Sequence, residues 1–294
     1  MKRKLIDRIH DRIWSEVGQL LSYHPNLPKV TNGGNESSSI SAAMPWADIC
    51  AAFADGKLNS RNFRRNSAVR DIVETVGAVD GRFYAKQILA WDPDWLGNTR
   101  IMEINKWGDP IRWPGLLLGT SEPFSPTTLR YLATALWLKR QGYVKNDTRI
   151  TEIGVGFGGL TAMNALVSGA STTLVDLPQV ENSALKMLTE VGLDSHVRHD
   201  PRNSDFSADF VISNYAFTEL NAEIQSGYFA RYIKHSAHGM IISNSSVFAS
   251  SICGRTDDDL LKWFRAEGLA ARLETANDLL APGDALCGVS MILW

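Results

Sequence analysis

The sequence predicts an α/β protein in which a mostly parallel sheet fills the second half and a mainly helical region precedes it. Three observations predict this class. A β-prone segment at 148–151, a turn with alternate glycines and a helical pattern at 160–167 follow one another directly. Strand-length apolar runs then alternate with helical patterns, an order typical of parallel sheets with right-handed crossovers. Residues 45–90, in contrast, show mostly helical spacing of apolar residues.

The composition is that of an ordinary globular protein. Of 294 residues, 44% are hydrophobic and 21% are charged, which suits one large domain or two unequal ones. The formal net charge of −2 argues against binding to nucleic acid, because a protein that grips a phosphate backbone needs a basic surface. No apolar run approaches the roughly 18 residues of a membrane helix, so no membrane span is expected.

Cysteine usage and the amino terminus bear on location. Cys50, Cys253 and Cys287 form no CxxC pair, which suits a reducing compartment and predicts neither a disulfide framework nor a zinc site. The basic start at 1–4 continues into a charged segment at 5–12, unlike the apolar centre of a signal peptide. We therefore expect a cytoplasmic protein.

Two segments precede the first helical region. Apolar residues on one face predict an amphipathic helix over 5–21. We expect this helix to pack on its own domain or on a second subunit of a homo-oligomer, and a helix on a membrane surface is the alternative. The polar tract within 25–41 predicts a loop.

A basic stretch lies in the helical region. Arg61, Arg64, Arg65 and Arg70 follow one another closely. They fit a solvated helix face, or else some of them contact an anionic group of a substrate.

A tryptophan-rich stretch ends this region, and its members are Trp91, Trp95, Trp107 and Trp113. These rings fit a hydrophobic core, or else a platform that stacks on a sugar ring while nearby Asp and Asn side chains bind its hydroxyls. Pro110 and Pro114 interrupt regular structure here. We accordingly divide the chain into a helical domain, 1–118, and a second domain, 119–294.

The second domain begins with a helix and the glycine turn. Ser125-Pro126 predicts a helix start, because proline suits the first helical position. The turn itself contains Gly154, Gly156 and Gly158, which allow a sharp bend and close approach of a ligand to the backbone. The helix that follows directs free N–H groups towards this turn. The spacing Gly154-x-Gly156-x-x-Gly159 also satisfies the dinucleotide fingerprint, so an NAD enzyme stays open at this point.

Two carboxylates flank the glycine turn. Glu152 lies two residues before Gly154, where a dinucleotide fold normally has an apolar residue, and it can meet the ammonium group of a methionine moiety. Asp176 follows the apolar run 172–175, at the next strand-to-helix turn, where a carboxylate can bind two ribose hydroxyls.

Glu152, the glycine turn and Asp176 together resemble the class I S-adenosylmethionine-dependent methyltransferases. The segment 175–180 resembles the Asp-Leu-Pro turn of small-molecule O-methyltransferases, and 208–220 is similar to the fourth-strand segment of bacterial sugar O-methyltransferases. The likeness covers roughly residues 105–294. It implies a Rossmann-like sheet whose last strand is antiparallel, S-adenosyl-L-methionine as the cofactor, and a sugar or glycoside as the small-molecule substrate.

The resemblance also implies which residues bind the cofactor. Arg130, in the first helical turn after Pro126, is expected to pair with the methionine carboxylate, and an exposed helix arginine is the alternative. Asp200 is the candidate for the adenine amine, with Asn203 and Asp205 as rivals. The expected contacts are Glu152, Gly154, Gly156, Gly158, Asp176, Leu177, Asp200, Asn214 and Arg130.

The remaining elements complete the expected sheet. Asn214 ends the fourth strand at the topological switch region, where ligands of such sheets bind. Three aspartates at 257–259 fit the first turn of a helix, where carboxylates suit the helix dipole, rather than a metal site. The other predicted elements are helices at 179–193, 221–232 and 257–267 and strands at 195–200, 210–213, 239–244, 271–275 and 286–294.

Methyl transfer to a hydroxyl needs alignment and a base, and a positioned base contributes about 10² to 10⁴ in rate. Small-molecule O-methyltransferases with the Asp-Leu-Pro turn often carry a His-Asp pair after the fourth strand. This chain has Thr218-Glu219 and no histidine there. Glu219, with a pKa raised by burial, is therefore the first candidate base. Tyr215 is expected to donate a hydrogen bond to the substrate, and His238 ranks third. No cluster of His and Asp predicts a catalytic metal.

The favoured function is O-methylation of a sugar, as in decoration of a polysaccharide or a glycosylated product. An N-methyltransferase is the alternative, because 214–217 faintly resembles an amine-binding Asn-Pro-Pro-Tyr turn, although both prolines are absent. A noncatalytic cofactor-binding partner is the third interpretation.

Overall fold

The computed structural model describes residue 39, residues 45–198 and residues 207–294. The predicted helix at 5–21 lies outside these residues, and so does the predicted loop at 25–41 except for Ser39. A subunit contact through the first helix stays a prediction.

A single mixed sheet organises the second half, as predicted. In the described part of the chain seven strands lie in the order β3-β2-β1-β4-β5-β7-β6. Neighbouring pairs are parallel from β3 through β5, and β7 is antiparallel to both β5 and β6. The α/β class and the antiparallel final strand are therefore confirmed. The strands are β1 (Arg149–Ile153), β2 (Ser171–Val175), β3 (Val197–Arg198), β4 (Phe210–Asn214), β5 (His238–Ser243), β6 (Arg272–Glu274) and β7 (Ser290–Leu293).

Helices precede the sheet and cover both of its faces. The predicted start at Ser125 is confirmed, because its side chain accepts a hydrogen bond from the Thr128 backbone N–H and Pro126 opens the helix. The helices before β1 are α1 (Trp46–Ala54), α2 (Ser67–Val73), α3 (Ala78–Trp91), α4 (Thr99–Lys106), α5 (Gly115–Leu118) and α6 (Pro126–Arg140). Those after β1 are α7 (Gly159–Ser168), α8 (Pro178–Glu190), α9 (Ala222–Tyr228), α10 (Ser245–Phe248), α11 (Asp257–Ala266) and α12 (Pro282–Leu286).

The three aspartates at 257–259 start α11, as predicted. Thr256 and Asp259 form a capping box, in which each side chain binds the backbone N–H of the other residue. The Asp257 carboxylate also accepts hydrogen bonds from Ser245 at 2.7 Å and from Ser290 at 2.5 Å.

Alternation along the strands sends apolar side chains into two cores. Ile150 of β1 belongs to the core beneath α6, α7 and α8, while Ile153 belongs to the core beneath α9 and α11. The first core also contains buried residues of α1–α4, including Phe53 and Ile88. The helical region thus shares its core with the sheet, and the division at residue 118 stays a prediction.

Three elements differ from the sequence predictions. The third strand, expected over 195–200, begins only at Val197, because Asp194–His196 forms a 3-10 turn, and 199–200 lie outside the described residues. The helix expected over 221–232 ends at Tyr228 and continues as a single π turn, Phe229–Ile233. The strand expected over 286–294 comprises only Ser290–Leu293, because Leu286 ends a short helix that Pro282 opens, and proline suits the first turn of a helix. None of the described helices combines the length and apolar character needed to cross a bilayer.

Candidate functional site

The carboxyl ends of β1, β2 and β4 meet at one edge of the sheet. β1 lies between β2 and β4, so the strand order changes direction there. Such a switch point leaves a crevice outside the strand ends, and ligands of open α/β sheets bind in it. Glu152, Asp176 and Asn214 lie at the ends of these three strands.

The glycine turn after β1 has a backbone that requires glycine. Gly154, Gly156 and Gly158 have φ of 81°, 54° and 87°, a region that other residues rarely adopt. A Cβ on Gly154 would overlap the Cβ of Ala216, and one on Gly156 would lie 3.2 Å from Cγ1 of Val73. The turn is thus packed closely against the segment after β4 and against α2.

Glu152 is a buried acid at the end of β1. Its side chain is 3% exposed, and Oε2 accepts a hydrogen bond from Oγ1 of Thr161 at 2.7 Å. Burial raises the pKa of Glu152 to about 8, and the charge of Asp176 adds to this rise. The hydrogen bond from Thr161 lowers the pKa but does not offset the effect of burial. A carboxyl group held in this way favours a cationic ligand, which would stabilise its ionised form.

Asp176 is bound to the glycine turn. Its carboxylate accepts hydrogen bonds from the backbone N–H groups of Val155 at 2.9 Å and Leu177 at 2.8 Å. Burial raises the pKa of Asp176 to about 7, although these amides favour the ionised form. Leu177 follows directly and packs partly buried against the core.

Two polar side chains at this edge have buried atoms without a hydrogen bond within the described protein. Both amide atoms of Asn214 are buried without a hydrogen bond, and so is Nε of Arg130. Arg130 is 6% exposed, and its guanidinium carbon lies 5.3 Å from the ring centres of Tyr131 and Tyr215. It is therefore not the exposed helix arginine of the alternative interpretation. Buried polar groups usually have partners, so these atoms are candidates for contacts with a ligand.

The two candidate catalytic residues have different surroundings. Oε1 of Glu219 accepts a hydrogen bond from Nδ2 of Asn244 at 2.7 Å, and burial raises the pKa of Glu219. The hydroxyl of Tyr215 donates to Oδ1 of Asp284 at 3.1 Å. Tyr215 was expected to donate this hydrogen bond to the substrate. In the structure its hydroxyl proton is directed at the Asp284 carboxylate instead.

Several other predicted residues lie elsewhere. Asp200 and its rivals Asn203 and Asp205 are outside the described residues. His238 is exposed at the amino end of β5, on the opposite edge of the sheet, where its ring lies 5.9 Å from that of Tyr143.

The arginines of the basic stretch have different surroundings: Arg64 is buried inside the protein, whereas Arg65 lies on the surface. Arg64 is fully buried, and its guanidinium binds Glu74, Ser125 and the carbonyl oxygen of Ile104. It is therefore not free to bind an anionic substrate. Arg65 is exposed and forms an ion pair with Asp109 at 2.9 Å.

The tryptophans do not form an open platform. All four pack, partly buried, against the first core. The Trp107 ring stacks on Phe157 of the glycine turn at 5.9 Å, and its Nε1–H donates to Glu190.

Sequence reasoning missed two residues at this edge. Tyr84 of α3 donates its hydroxyl proton to Oδ2 of Asp284 at 3.0 Å. The two residues are 200 positions apart, and neither lies in a recognisable motif. The short helix α12, which carries Asp284, is not among the predicted helices either.

Cavities elsewhere do not involve these residues. One, of about 370 Å³, is lined by residues that include Tyr143, His238 and Arg272. Another, of about 580 Å³, is lined by residues that include Leu96, Met102 and Lys106. Neither contains a carboxylate or glycine of the switch-point edge.

Comparisons with known proteins give distant structural similarities. No protein-family model matches the sequence, and no curated protein matches it. Geranyl diphosphate C-methyltransferase from Streptomyces coelicolor A3(2), solved with Mg²⁺, geranyl diphosphate and S-adenosyl-L-homocysteine, has 15% identity and a TM-score of 0.42, over 55% of this chain and 77% of that one. The O-methyltransferase NcsB1 of neocarzinostatin biosynthesis, solved with S-adenosylmethionine and 2-hydroxy-5-methyl naphthoic acid, has 14% identity and a TM-score of 0.39, over 57% of each chain.

A third similar structure is an O-methyltransferase family protein from Burkholderia thailandensis. It has 15% identity and a TM-score of 0.42, over 57% of this chain and 59% of that one. Similarity at this level carries no information on the ligand or the reaction of this chain.

Proposed function

We propose that this protein is an S-adenosylmethionine-dependent O-methyltransferase that acts on a hydroxyl of a sugar or sugar-containing small molecule. The observation that carries the proposal is the arrangement at the switch point. Two carboxyl groups with raised pKa values, the buried Glu152 and the half-buried Asp176, flank a glycine turn there. The unpartnered atoms of Asn214 and Arg130 lie at the same edge.

The residues fit the charges of this cofactor. Glu152 would hold the ammonium group and Arg130 the carboxylate of the methionine moiety, so each buried charge gains an opposite charge. Asp176 would bind the ribose hydroxyls, with Leu177 and the backbone of the glycine turn against the nucleoside. S-adenosylmethionine, when bound, supplies an electrophilic methyl group.

The chain's own residues would prepare the acceptor. Glu219 would accept the proton of the acceptor hydroxyl, because burial raises its pKa and so makes the carboxylate a stronger base. Tyr215 would hold the acceptor through another of its hydroxyl groups. The likeness of 208–220 to sugar O-methyltransferases supports a sugar hydroxyl as the acceptor.

Calorimetry tests the cofactor assignment. The native protein should bind S-adenosylhomocysteine and not NAD. Glu152→Gln should weaken the binding of S-adenosylhomocysteine at least about 100-fold, because loss of one partner from a buried ion pair costs about 3–5 kcal/mol and each 1.4 kcal/mol is about tenfold.

A surface variant provides the control. Glu267→Gln alters an exposed ion pair with Lys234 and should leave the affinity unchanged. Binding of NAD without S-adenosylhomocysteine would redirect the assignment to a dehydrogenase. Transfer of a radiolabelled methyl group to a panel of free sugars and nucleotide sugars would then identify the acceptor.

A further inference from the structure

A polar cluster beside the cofactor residues joins three distant parts of the chain. Asp284 of α12 accepts hydrogen bonds from the hydroxyls of Tyr84, on α3, and Tyr215, after β4, at 3.0 and 3.1 Å. The backbone N–H of Ala281 also donates to Oδ2 of Asp284, at 3.0 Å. These contacts define the Tyr84–Asp284–Tyr215 cluster.

The cluster is held in place from both sides. Asp80, one helical turn before Tyr84, accepts a hydrogen bond from the backbone N–H of Gly283 at 2.9 Å and so anchors α12 on α3. Tyr215 has φ of 71° and ψ of −42°, a strained conformation for a residue other than glycine. Strain of this kind persists only where the surrounding structure holds the residue in place.

The direction of the protons decides what the cluster can bind. A carboxylate only accepts hydrogen bonds, so both tyrosine protons point to Asp284. Burial raises the pKa of Tyr215, and the charge of Asp284 adds to the rise, so the hydroxyl keeps its proton at neutral pH. Its oxygen, which lies beside the Arg130 guanidinium, can then accept a hydrogen bond from a ligand hydroxyl.

The two tyrosines differ in access to a ligand. Tyr84 is 2% exposed and holds Asp284 from within the protein. Tyr215 is partly exposed, and it directly follows Asn214 at the end of β4. With Arg130 opposite the methionine carboxylate, the remaining charge beside Tyr215 is the carboxylate of Asp284, which repels an anionic acceptor.

We propose that Tyr215, oriented by Asp284 and Tyr84, binds a hydroxyl of the acceptor other than the one that is methylated, and that the cluster selects a neutral polyhydroxylated acceptor over an acidic one. This inference rests on the proposed function. Tyr215 contacts the acceptor, and Asp284 and Tyr84 are positioning residues that act through it.

Binding to the protein saturated with S-adenosylhomocysteine tests the inference. The probes are the methyl glycosides of glucose, galactose and mannose and the corresponding uronates, titrated by NMR. At least one neutral glycoside should bind at least tenfold more tightly than its uronate. Tyr215→Phe should weaken this binding at least fivefold.

Asp284→Asn should bring the neutral and acidic affinities within twofold of each other, because the change removes the charge. Its effect and that of Tyr215→Phe on the neutral glycoside should not be additive, since Asp284 acts through Tyr215. Asp278→Asn, which removes an exposed negative charge from the segment before α12, is the matched control and should keep the preference. Each variant should keep its affinity for S-adenosylhomocysteine within twofold.

Three results would overturn the inference: uronates that bind as tightly as neutral glycosides, a preference that survives Asp284→Asn, or no binding of any probe to the saturated protein. If Asp284→Asn does not fold, Tyr84→Phe is the second test: as a positioning residue it should weaken binding of the neutral glycoside, and not additively with Tyr215→Phe. An affinity unchanged in Tyr84→Phe would then overturn the inference. Failure of the native protein to bind S-adenosylhomocysteine would instead disprove the proposed function.

Discussion

Gly154 is the residue of the glycine turn whose packing gives the sharpest prediction. Gly154→Ala combines a left-handed backbone with an overlap on the Cβ of Ala216. The backbone strain costs about 1–2 kcal/mol and the overlap about 1–3 kcal/mol, so we expect a loss of roughly 2–5 kcal/mol in the free energy of unfolding measured in urea.

Gly142 separates these two contributions. It has φ of 75°, yet a Cβ there would meet nothing within 4 Å. Gly142→Ala should therefore lose only the strain, about 1–2 kcal/mol. Adding Ala216→Gly to Gly154→Ala should restore part of the stability, and equal losses in Gly154→Ala and Gly142→Ala would contradict the packing argument.

At the scale of residues, the sequence predicts site residues that lie close together in the chain. The glycine turn and its two carboxylates lie within a short stretch whose strand-turn-helix pattern is readable, so Glu152 and Asp176 could be placed at one edge. Asp284 has no such pattern, because its partners come from α3 and from the end of β4. The proton direction at Tyr215 depends on that long-range contact, and a sequence read without the fold cannot supply it.

At the scale of elements, a buried arginine fastens the helical region to the glycine turn. Arg64 binds Ser125 and Thr128 at the start of α6, at 3.0 and 3.2 Å, and Glu74 after α2. Its guanidinium carbon also lies 4.5 Å from the ring centre of Phe157, within the turn. The single guanidinium of Arg64 thus connects α6, the residue after α2 and the glycine turn.

Arg64→Met should be strongly destabilising. The change leaves the Glu74 carboxylate, whose side chain is 7% exposed, without its cation. Removing one partner of a buried ion pair costs about 3–5 kcal/mol, and urea unfolding would measure this loss. Arg65→Met is the matched control, since an exposed pair contributes about 0–1 kcal/mol. Similar losses in both variants would show that the Arg64 contacts contribute little.

Elements with a strong local pattern were predicted, and those set by tertiary packing were not. Alternating apolar runs and helices predicted the parallel sheet, and Ser125-Pro126 predicted the start of α6. The basic stretch looked solvated because spacing alone does not reveal that Arg64 turns inward. Helix α12 was missed because proline and glycine at 282–283 favour a turn, whereas Asp80 and Tyr84 hold this segment as a helix against α3.

At the scale of the whole molecule, the helical region and the sheet enclose acids that are costly to ionise. The pKa of Glu152 rises from its ordinary 4.5 to about 8, and that of Asp176 rises from 3.8 to about 7, both chiefly through burial. Each group therefore binds its proton more tightly in the folded than in the unfolded chain. The folded protein without cofactor holds more protons across this interval, so its stability must fall as the pH rises.

We expect the free energy of unfolding, measured in urea without cofactor, to decrease from pH 5 to pH 8, and to decrease less in Glu152→Gln, whose amide does not titrate. A bound ammonium group favours ionised Glu152, so the affinity for S-adenosylhomocysteine should rise over the same interval. Calorimetry in buffers of different ionisation enthalpy should detect proton release on binding near pH 7, and Glu152→Gln should reduce it. A stability that does not change between pH 5 and pH 8, together with binding that releases no proton, would mean that neither acid is buried as the structure shows.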